Sequence, residues 1–181
     1  MMAEKIYDKL YTQEQADMKN EVELIFDAIS CNEGFARTAV AAFITHLNPT
    51  LEEMADIKTA VSEAVTNAII HGYENYSGYE RRREGHSTYG MRHQGKVRLY
   101  CKLLNGVLYI DVMDEGKGIE DVEKAMEPLF TTKPELERSG MGFAFMEAFM
   151  DELEVESTPG IGTCVHMKKK IGTGSWIDGE D

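Results

Sequence analysis

The sequence lacks the features of a membrane, secreted or zinc-binding protein. No apolar run approaches the roughly 18 residues that a spanning helix needs. The N-terminal stretch MMAEKIYDKLYTQEQADMKN has neither an apolar core segment nor a small-residue cleavage site, so we expect no signal peptide. The three cysteines, Cys31, Cys101 and Cys164, form no CxxC pair, which argues against a zinc site and a disulfide framework. We therefore expect a cytoplasmic protein with reduced cysteines and no membrane contact.

Basic residues are scarce relative to acidic ones. The chain has 19 Lys and Arg against 32 Asp and Glu, which gives a formal net charge of -13. Attraction to nucleic acid needs clustered Lys and Arg that displace counterions from phosphates. We therefore expect no direct nucleic-acid contact.

The length of 181 residues fits one domain with additional segments, since single cores usually comprise about 100 to 200 residues. We expect a mobile N-terminal extension over 1–19, a domain over 20–170 with a loop insertion over 74–95, and a mobile acidic tail over 171–181. The insertion is polar and glycine-rich, without helical or strand periodicity. Its Arg81-Arg82-Arg83 run could contact a partner, but a disordered insertion is the favoured interpretation.

The spacing of apolar residues predicts the elements of the first half. Alternation from Val22 to Ala28 predicts a strand, and three- and four-residue spacing from Phe35 to Leu47 predicts a helix. Thr50 and Glu53 match a capping box, in which each side chain satisfies a free backbone N–H of the other. The helix that follows should end at Gly72, and its apolar residues are Met54, Ile57, Val61, Val65 and Ile69.

The second half predicts two hairpins and one helix. Asn105-Gly106 is a tight-turn pair between alternating segments, and the turn Pro159–Gly162 separates LEVES from TCVHMK. The stretch 115–139 should be irregular, and Met141, Phe145, Ala148 and Phe149 mark a helix. This order predicts an α+β fold, a two-layer sandwich of a mixed, mostly antiparallel sheet covered by helices on one face.

Glu63, Asn67 and His71 recur at a spacing of four on the predicted second helix and should share one side of it. Asn67 can offer an oxygen to a hydrated magnesium ion beside a phosphate chain. Glu63, one turn away, can accept the proton of an attacking hydroxyl. The alternative is a solvated helix face, with His71 capping carbonyls at the helix C-terminus.

Three glycine-containing loops are candidates for nucleotide binding. In DEGKGI, the Asp114 carboxylate can accept a hydrogen bond from the adenine amine, while Gly116 and Gly118 let the loop lie against base and ribose. In GIGT, the Thr163 hydroxyl can reach the adenine edge directly or through water. Taken singly, glycines in such turns are more often structural than ligand-binding.

The third loop precedes the predicted helix at Met141 and has the properties of a lid. Free N–H groups at the helix start can hold phosphate oxygens, and Lys133 and Arg138 can bring positive charge to the β and γ phosphates. Candidate nucleotide contacts in this segment are Thr132, Lys133, Arg138, Ser139, Gly140, Met141 and Gly142.

ExxxN on a helix, DxGxG after a strand, a lid ending in SGMGF and a closing GxGT together resemble the GHKL ATPase superfamily. Within it, EAVTNAIIHGY, DEGKGI, PLFTTKPELERSGMGF and FMDELEVES are similar to the anti-sigma F factor family, over about residues 20 to 170. The insertion is about twenty residues longer than this pattern leads us to expect, which loop-closure entropy tolerates.

The resemblance implies a Bergerat-type ATP-binding fold that uses ATP and Mg²⁺, with Glu63 as catalytic base and Asn67 as metal ligand. It places Asp114, Gly118 and Thr163 at the adenine and the lid residues at the phosphates. It also implies a homodimer that holds a sigma factor of the sigma F type and phosphorylates a serine of an anti-anti-sigma protein. Arg37 resembles the position that engages both partners, although an arginine on a polar helix face is often only solvated.

Two other functions remain open from the sequence. A detached histidine-kinase catalytic domain would share the nucleotide loops but would need a separate phosphoaccepting histidine helix. A binding module could use ATP only to set its shape, without transfer.

Overall fold

The computed structural model describes residues 19–73, 95–127 and 141–172. The predicted extension, insertion and acidic tail lie almost entirely outside these ranges, as do five of the lid residues, Thr132, Lys133, Arg138, Ser139 and Gly140. The elements in chain order are β1 Lys19–Asp27, α1 Cys31–Ile44, a 3-10 turn Thr45–Leu47, α2 Leu51–Asn67, a π turn Ala68–Gly72, β2 Lys96–Leu104, β3 Val107–Asp114, α3 Val122–Met126, α4 Gly142–Phe149, β4 Glu152–Thr158 and β5 Gly162–Lys170.

The five strands form one sheet in the order β1-β2-β3-β5-β4. Every pairing between the described strands is antiparallel, so the predicted mostly antiparallel sheet is confirmed, and the described strands form no parallel pair. Alternate residues along β2 and β3 are buried with the apolar sides of the helices in one core, as in a half-covered sheet. The α+β architecture follows from this burial pattern.

The first predicted helix is confirmed, with one error in its core. Ala36, Val40 and Ile44 are fully buried on α1, at the spacing the sequence predicted. Phe35, which the same spacing assigned to the core, is 53% exposed and meets the ring of Phe26 edge-on at 6.2 Å between centroids. Phe35 lies at the margin of the core because only a narrow apolar stripe of α1 faces the sheet, and this stripe does not include every residue of the first turn.

The capping box at the start of α2 is confirmed. The Glu53 backbone N–H donates to Thr50 Oγ1 at 3.1 Å, and the Thr50 N–H donates to Glu53 Oε2 at 2.7 Å. The other Glu53 oxygen accepts from the Gly172 N–H at 3.0 Å, which connects the chain after β5 to the start of α2. Such a cap stabilises a helix by about 1 kcal/mol.

The second half follows the prediction with two differences. Asn105 and Gly106 adopt φ values of 53° and 73°, as a tight hairpin turn between twisted strands requires. The stretch predicted to be irregular contains α3, because Asp121 accepts the Lys124 N–H at 3.0 Å and caps a short helix. On α4 the fully buried residue is Met146, whereas Ala148, predicted on the apolar side, is exposed.

None of the helices within the described ranges is long and apolar enough to cross a bilayer.

Candidate functional site

We call the region where α2 meets the start of α4 the catalytic end of the candidate site, after the role that the sequence predicts for Glu63. A Cβ atom placed on Gly142 would lie 3.0 Å from Glu63 Oε2 and 3.3 Å from Asn67 Nδ2. A side chain at this position would require the Glu63 carboxylate and the Asn67 carboxamide to shift. The structure therefore brings together Glu63, Asn67 and Gly142, which the sequence placed in two separate motifs.

The start of α4 has the properties of a phosphate-binding helix end. Its N-cap residue is Met141, whose side chain offers no oxygen and makes no capping hydrogen bond. The first N–H groups of a helix have no partner within the helix, and the helix dipole favours an anion there. This end faces Glu63 and Asn67 through Gly142.

The second predicted helix reaches Gly72, but its last turn is not α-helical. The α-helical pattern ends at Asn67, and the chain continues through the π turn Ala68–Gly72. A spacing of four is close to one full turn in either geometry, so the alignment of His71 with Glu63 and Asn67 stays a prediction. Such turns inside helices are frequent at functional sites.

We call the edge where β3 and β5 meet the adenine end, after the contacts that the sequence predicts for Asp114 and Thr163. Asp114 and Thr163 are directly paired residues of these neighbouring strands. The Gly116 N–H donates to Asp114 Oδ1 at 2.9 Å, and Thr163 Oγ1 lies 2.9 Å from Ser157 Oγ. The two residues that the sequence predicted as adenine contacts are therefore adjacent in the fold.

Burial raises the pKa of the Asp114 carboxyl to about 6, although backbone N–H groups of Gly116 and Thr163 lower it in part. Burial disfavours the charged form, whereas N–H donors stabilise it. Above about pH 6 the group is an ionised acceptor. It can then accept a hydrogen bond from an amino group such as that of adenine.

The glycines of the adenine end are required by packing against the chain's own backbone. A Cβ on Gly116 would lie 2.1 Å from the Gly72 carbonyl oxygen, and one on Gly162 would lie 2.0 Å from the Asp114 carbonyl oxygen. Gly118, at φ +69°, would place a Cβ 2.2 Å from the Thr158 carbonyl oxygen. The sequence attributed Gly116 and Gly118 to close approach of a ligand; the structure gives the packing of three loops as the reason.

Two residues of this end were missed by the sequence reasoning. Tyr73 is buried, and its hydroxyl donates to the Lys96 carbonyl at 2.6 Å and accepts from the Glu115 N–H at 2.9 Å. Ser157 Oγ accepts from the Ile119 N–H at 2.8 Å. The available signal was the position of Tyr73 directly after the predicted helix end, where a buried hydroxyl usually finds a partner.

The metal-ligating side chains of the candidate site fit a nucleotide-bound magnesium ion better than a metal centre built from protein ligands alone. Among the described residues there is no cluster of three or more His, Cys, Asp and Glu side chains that could hold an ion. Magnesium beside a nucleotide keeps several waters and phosphate oxygens and takes few protein ligands. The Asn67 carboxamide, which lies against the start of α4, is suited to that role.

Arg37 lies on the exposed side of α1. Its Nη1 is 3.0 Å from Glu33 Oε1, and its side chain is 45% exposed. Glu33 Oε1 also accepts from the Ser62 hydroxyl on α2. The Arg37 guanidinium is therefore held by Glu33 through one nitrogen and remains accessible to another protein.

Residues 32–169 match the histidine kinase-like ATPase domain family. The chain is 56% identical over 156 residues to the anti-sigma F factor of Caldanaerobacter subterraneus subsp. tengcongensis, covering 86% of this chain and 97% of the relative. The anti-sigma F factor of Bacillus subtilis (strain 168) is 51% identical over 154 residues, which cover 85% of this chain and 94% of that protein.

The fold is shared with a solved structure of low sequence similarity. The crystal structure of the RsbU and RsbW domains of Rv1364c from Mycobacterium tuberculosis aligns with a TM-score of 0.55 and 18% identity, over 84% of this chain and 32% of that chain. This likeness supports the sheet and helix arrangement alone. Because the domain match and the identity to the relatives both extend over most of the sequence, the chain belongs to the anti-sigma F factor family and has a histidine kinase-like ATPase domain.

Proposed function

We propose that this chain is an anti-sigma factor and ATP-dependent protein serine kinase, which binds and inhibits a sporulation sigma factor of the sigma F type and phosphorylates a serine of its anti-anti-sigma antagonist. The observation that carries the kinase proposal is the contact of Gly142 with Glu63 and Asn67. It joins a carboxylate and a carboxamide to a helix start suited to phosphate. The adjacent pair Asp114 and Thr163 supports adenine as the base.

In this proposal the chain's residues divide the work of phosphoryl transfer. Asp114 and Thr163 hold the base, and the first N–H groups of α4 hold phosphate oxygens. Glu63 takes the proton from the serine hydroxyl of the partner as the serine oxygen bonds to the γ-phosphorus and the bond to ADP breaks. Asn67 would hold a magnesium ion, which would supply neutralising charge to the phosphates when bound. Lys133 and Arg138, which lie outside the described residues, are proposed to add positive charge to the same phosphates.

The partner proposal rests on family membership and on the surface of α1. The relatives are named anti-sigma F factors, and Arg37 is exposed on a helix that packs against α2. An accessible guanidinium can pair with a carboxylate in a bidentate manner. We propose that Arg37 contacts both the sigma factor and the antagonist, and that the kinase acts as a homodimer.

The test is a transfer assay with ATP, Mg²⁺ and a candidate anti-anti-sigma protein, in which the partner is analysed by mass spectrometry. Glu63→Gln keeps the size of the side chain and removes its basicity. We expect it to retain ATP binding and to lose transfer by at least about 100-fold, the usual contribution of a general base. Glu52→Gln, on an exposed residue of the same helix, is the matched control and should transfer normally.

The same assay separates the other functions. Acid-labile phosphohistidine in place of phosphoserine would identify a histidine-kinase catalytic domain. ATP-dependent retention of a sigma factor without any transfer would identify an ATP-gated binding module. Calorimetry that detects no nucleotide binding with Mg²⁺ present would overturn the proposal altogether.

A further inference from the structure

We infer that Tyr73 is a positioning residue for base selectivity: its hydroxyl fixes the loop that follows Asp114 and so holds the carboxylate at the angle that distinguishes adenine from guanine. The inference rests on the proposed ATP site and gives a role to a residue for which the sequence predicted none.

The Tyr73 hydroxyl is the junction of two segments that are distant in sequence. It donates to the carbonyl of Lys96, at the start of β2, at 2.6 Å. It accepts from the N–H of Glu115, the residue directly after Asp114, at 2.9 Å. Since the Tyr73 side chain is buried at 5% exposure, water cannot readily replace these bonds.

The loop after Asp114 is also held by the π turn that leads to Tyr73. The Lys117 N–H donates to the Gly72 carbonyl at 2.9 Å. A Cβ on Gly72 would lie 2.7 Å from Asp114 Oδ1, so the carboxyl rests directly on the Gly72 α-carbon. Gly72 thus packs against the Asp114 carboxyl, and the Tyr73 hydroxyl fixes the peptide that follows Asp114.

The Tyr73 ring is itself closely packed. A Cβ on Gly95 would lie 2.1 Å from Cε1 of the ring, so the Gly95 backbone packs directly against it. The Gly95 carbonyl accepts from the Ala28 N–H at 2.8 Å, which fixes that backbone at the end of β1. Burial raises the pKa of the Tyr73 hydroxyl, which therefore remains protonated and a donor at neutral pH.

The consequence concerns the two purine bases. At the position where adenine carries an amino donor, guanine carries a carbonyl acceptor, so a fixed carboxylate attracts one and repels the other. A carboxylate that can rotate loses part of its attraction for adenine and part of its repulsion of guanine. Removing the hydroxyl breaks the partly buried hydrogen bond from the Glu115 N–H and loosens the loop. ATP binding should therefore weaken more than GTP binding.

The experiment compares Tyr73→Phe with wild type by calorimetric titration of ADP and GDP in Mg²⁺. We expect the ratio of GDP to ADP dissociation constants to fall by about tenfold, the size of one lost buried hydrogen bond. Tyr100→Phe is the matched control, since its hydroxyl bonds Glu21 Oε2 at 2.8 Å at an exposed site on the other side of the sheet. That control should leave the ratio unchanged.

Gly95→Ala provides a second variant, because it displaces the ring and keeps the hydroxyl. It should lower the same ratio, and circular dichroism melts of all variants report whether they fold. If Tyr73→Phe does not fold, Gly95→Ala decides the question. Equal weakening of both nucleotides, or an unchanged ratio, would overturn the role of Tyr73 while leaving the ATP site intact. If the wild-type chain binds neither nucleotide, the proposed function fails instead.

Discussion

The adenine end and the catalytic end of the candidate site are assembled by different contacts. At the adenine end, glycines pack backbone against backbone, as where Gly116 meets the Gly72 carbonyl and Gly162 meets the Asp114 carbonyl. At the catalytic end, the tips of two side chains, Glu63 and Asn67, meet the α-carbon of Gly142. A backbone contact cannot relax without moving a whole loop, whereas a side chain can change rotamer.

This difference determines what a substitution should damage. A side chain added at the adenine end must displace main chain, so stability and nucleotide affinity should fall together. A side chain added at the catalytic end displaces Glu63 and Asn67, so transfer should fall before affinity does. Three experiments can break or sharpen this contrast.

The largest effect is expected from Gly142→Val. A valine here would push Glu63 and Asn67 out of position, and small displacements of catalytic groups can cost about 100-fold in rate. We expect phosphoryl transfer to fall by at least about that factor, while ADP affinity falls less than about tenfold. Ala148→Val, on an exposed position of the same helix, should behave as wild type in both assays. An equal loss of transfer and affinity would remove the contrast between the ends.

A smaller effect is expected from Gly116→Ala. Its Cβ would lie 2.1 Å from the Gly72 carbonyl, so the loop must shift. We expect the free energy of unfolding to fall by about 1 to 3 kcal/mol, as for other overpacked sites. ADP affinity, measured by calorimetry, should fall about tenfold because Asp114 moves with the loop.

Gly172→Ala is the comparison for this variant. Gly172 has φ +81°, and an added Cβ would have no described atom within 4 Å, so an alanine is strained but meets no neighbour. It should cost about 1 to 2 kcal/mol of stability and leave ADP affinity unchanged. If Gly116→Ala binds ADP as tightly as Gly172→Ala, the packing of the adenine end does not position Asp114.

The smallest effect on nucleotide affinity near neutral pH is expected from a change of pH. Since the pKa of Asp114 is raised to about 6, protonation removes the acceptor for adenine as the pH falls below that value. ATP affinity should be constant above about pH 7 and weaken by up to about tenfold per pH unit below 6. In Asp114→Asn, affinity should be lower and this step absent. A wild-type profile that is flat from pH 7 to pH 5 would contradict the role of Asp114.

The same group affects the stability of the nucleotide-free protein in the opposite sense. The folded-state pKa of Asp114 is above its usual value of 3.8, so the folded state binds the proton more tightly than the unfolded state. This contribution to stability is fully present below about pH 4 and is lost as the pH rises through 6. Thermal melts of wild type and Asp114→Asn across this range would isolate it.

Local features could be predicted well because neighbouring residues produce them. The Thr50 and Glu53 capping box depends on groups three residues apart, and the Asn105-Gly106 turn depends on two residues that tolerate positive φ. The helical spacing that identified Ala36, Val40 and Ile44 is equally local. The same reasoning failed for Phe35, since exposure at the margin of the sheet is decided by how α1 sits on it.

The site was predicted only as a set of separate motifs. Glu63, Asn67, Asp114, Gly142 and Thr163 were identified by residue type and spacing, and the structure brings Gly142 to Glu63 and Asn67, and Thr163 to Asp114. The π turn after Asn67 had no usable sequence signal, and the position of Tyr73 after the predicted helix end did not identify its partners. Both depend on segments that are distant in the chain.

By itself, the sequence determined most of the strands and helices and predicted which residues suit a nucleotide site, because periodicity, caps and turns depend on near neighbours. Only the tertiary structure decided that Asp114 and Thr163 are paired across β3 and β5, that Gly116 packs on Gly72, and that Tyr73 joins β2 to the loop after Asp114. Strand register and backbone packing are set by the burial of the whole core, which no local pattern specifies.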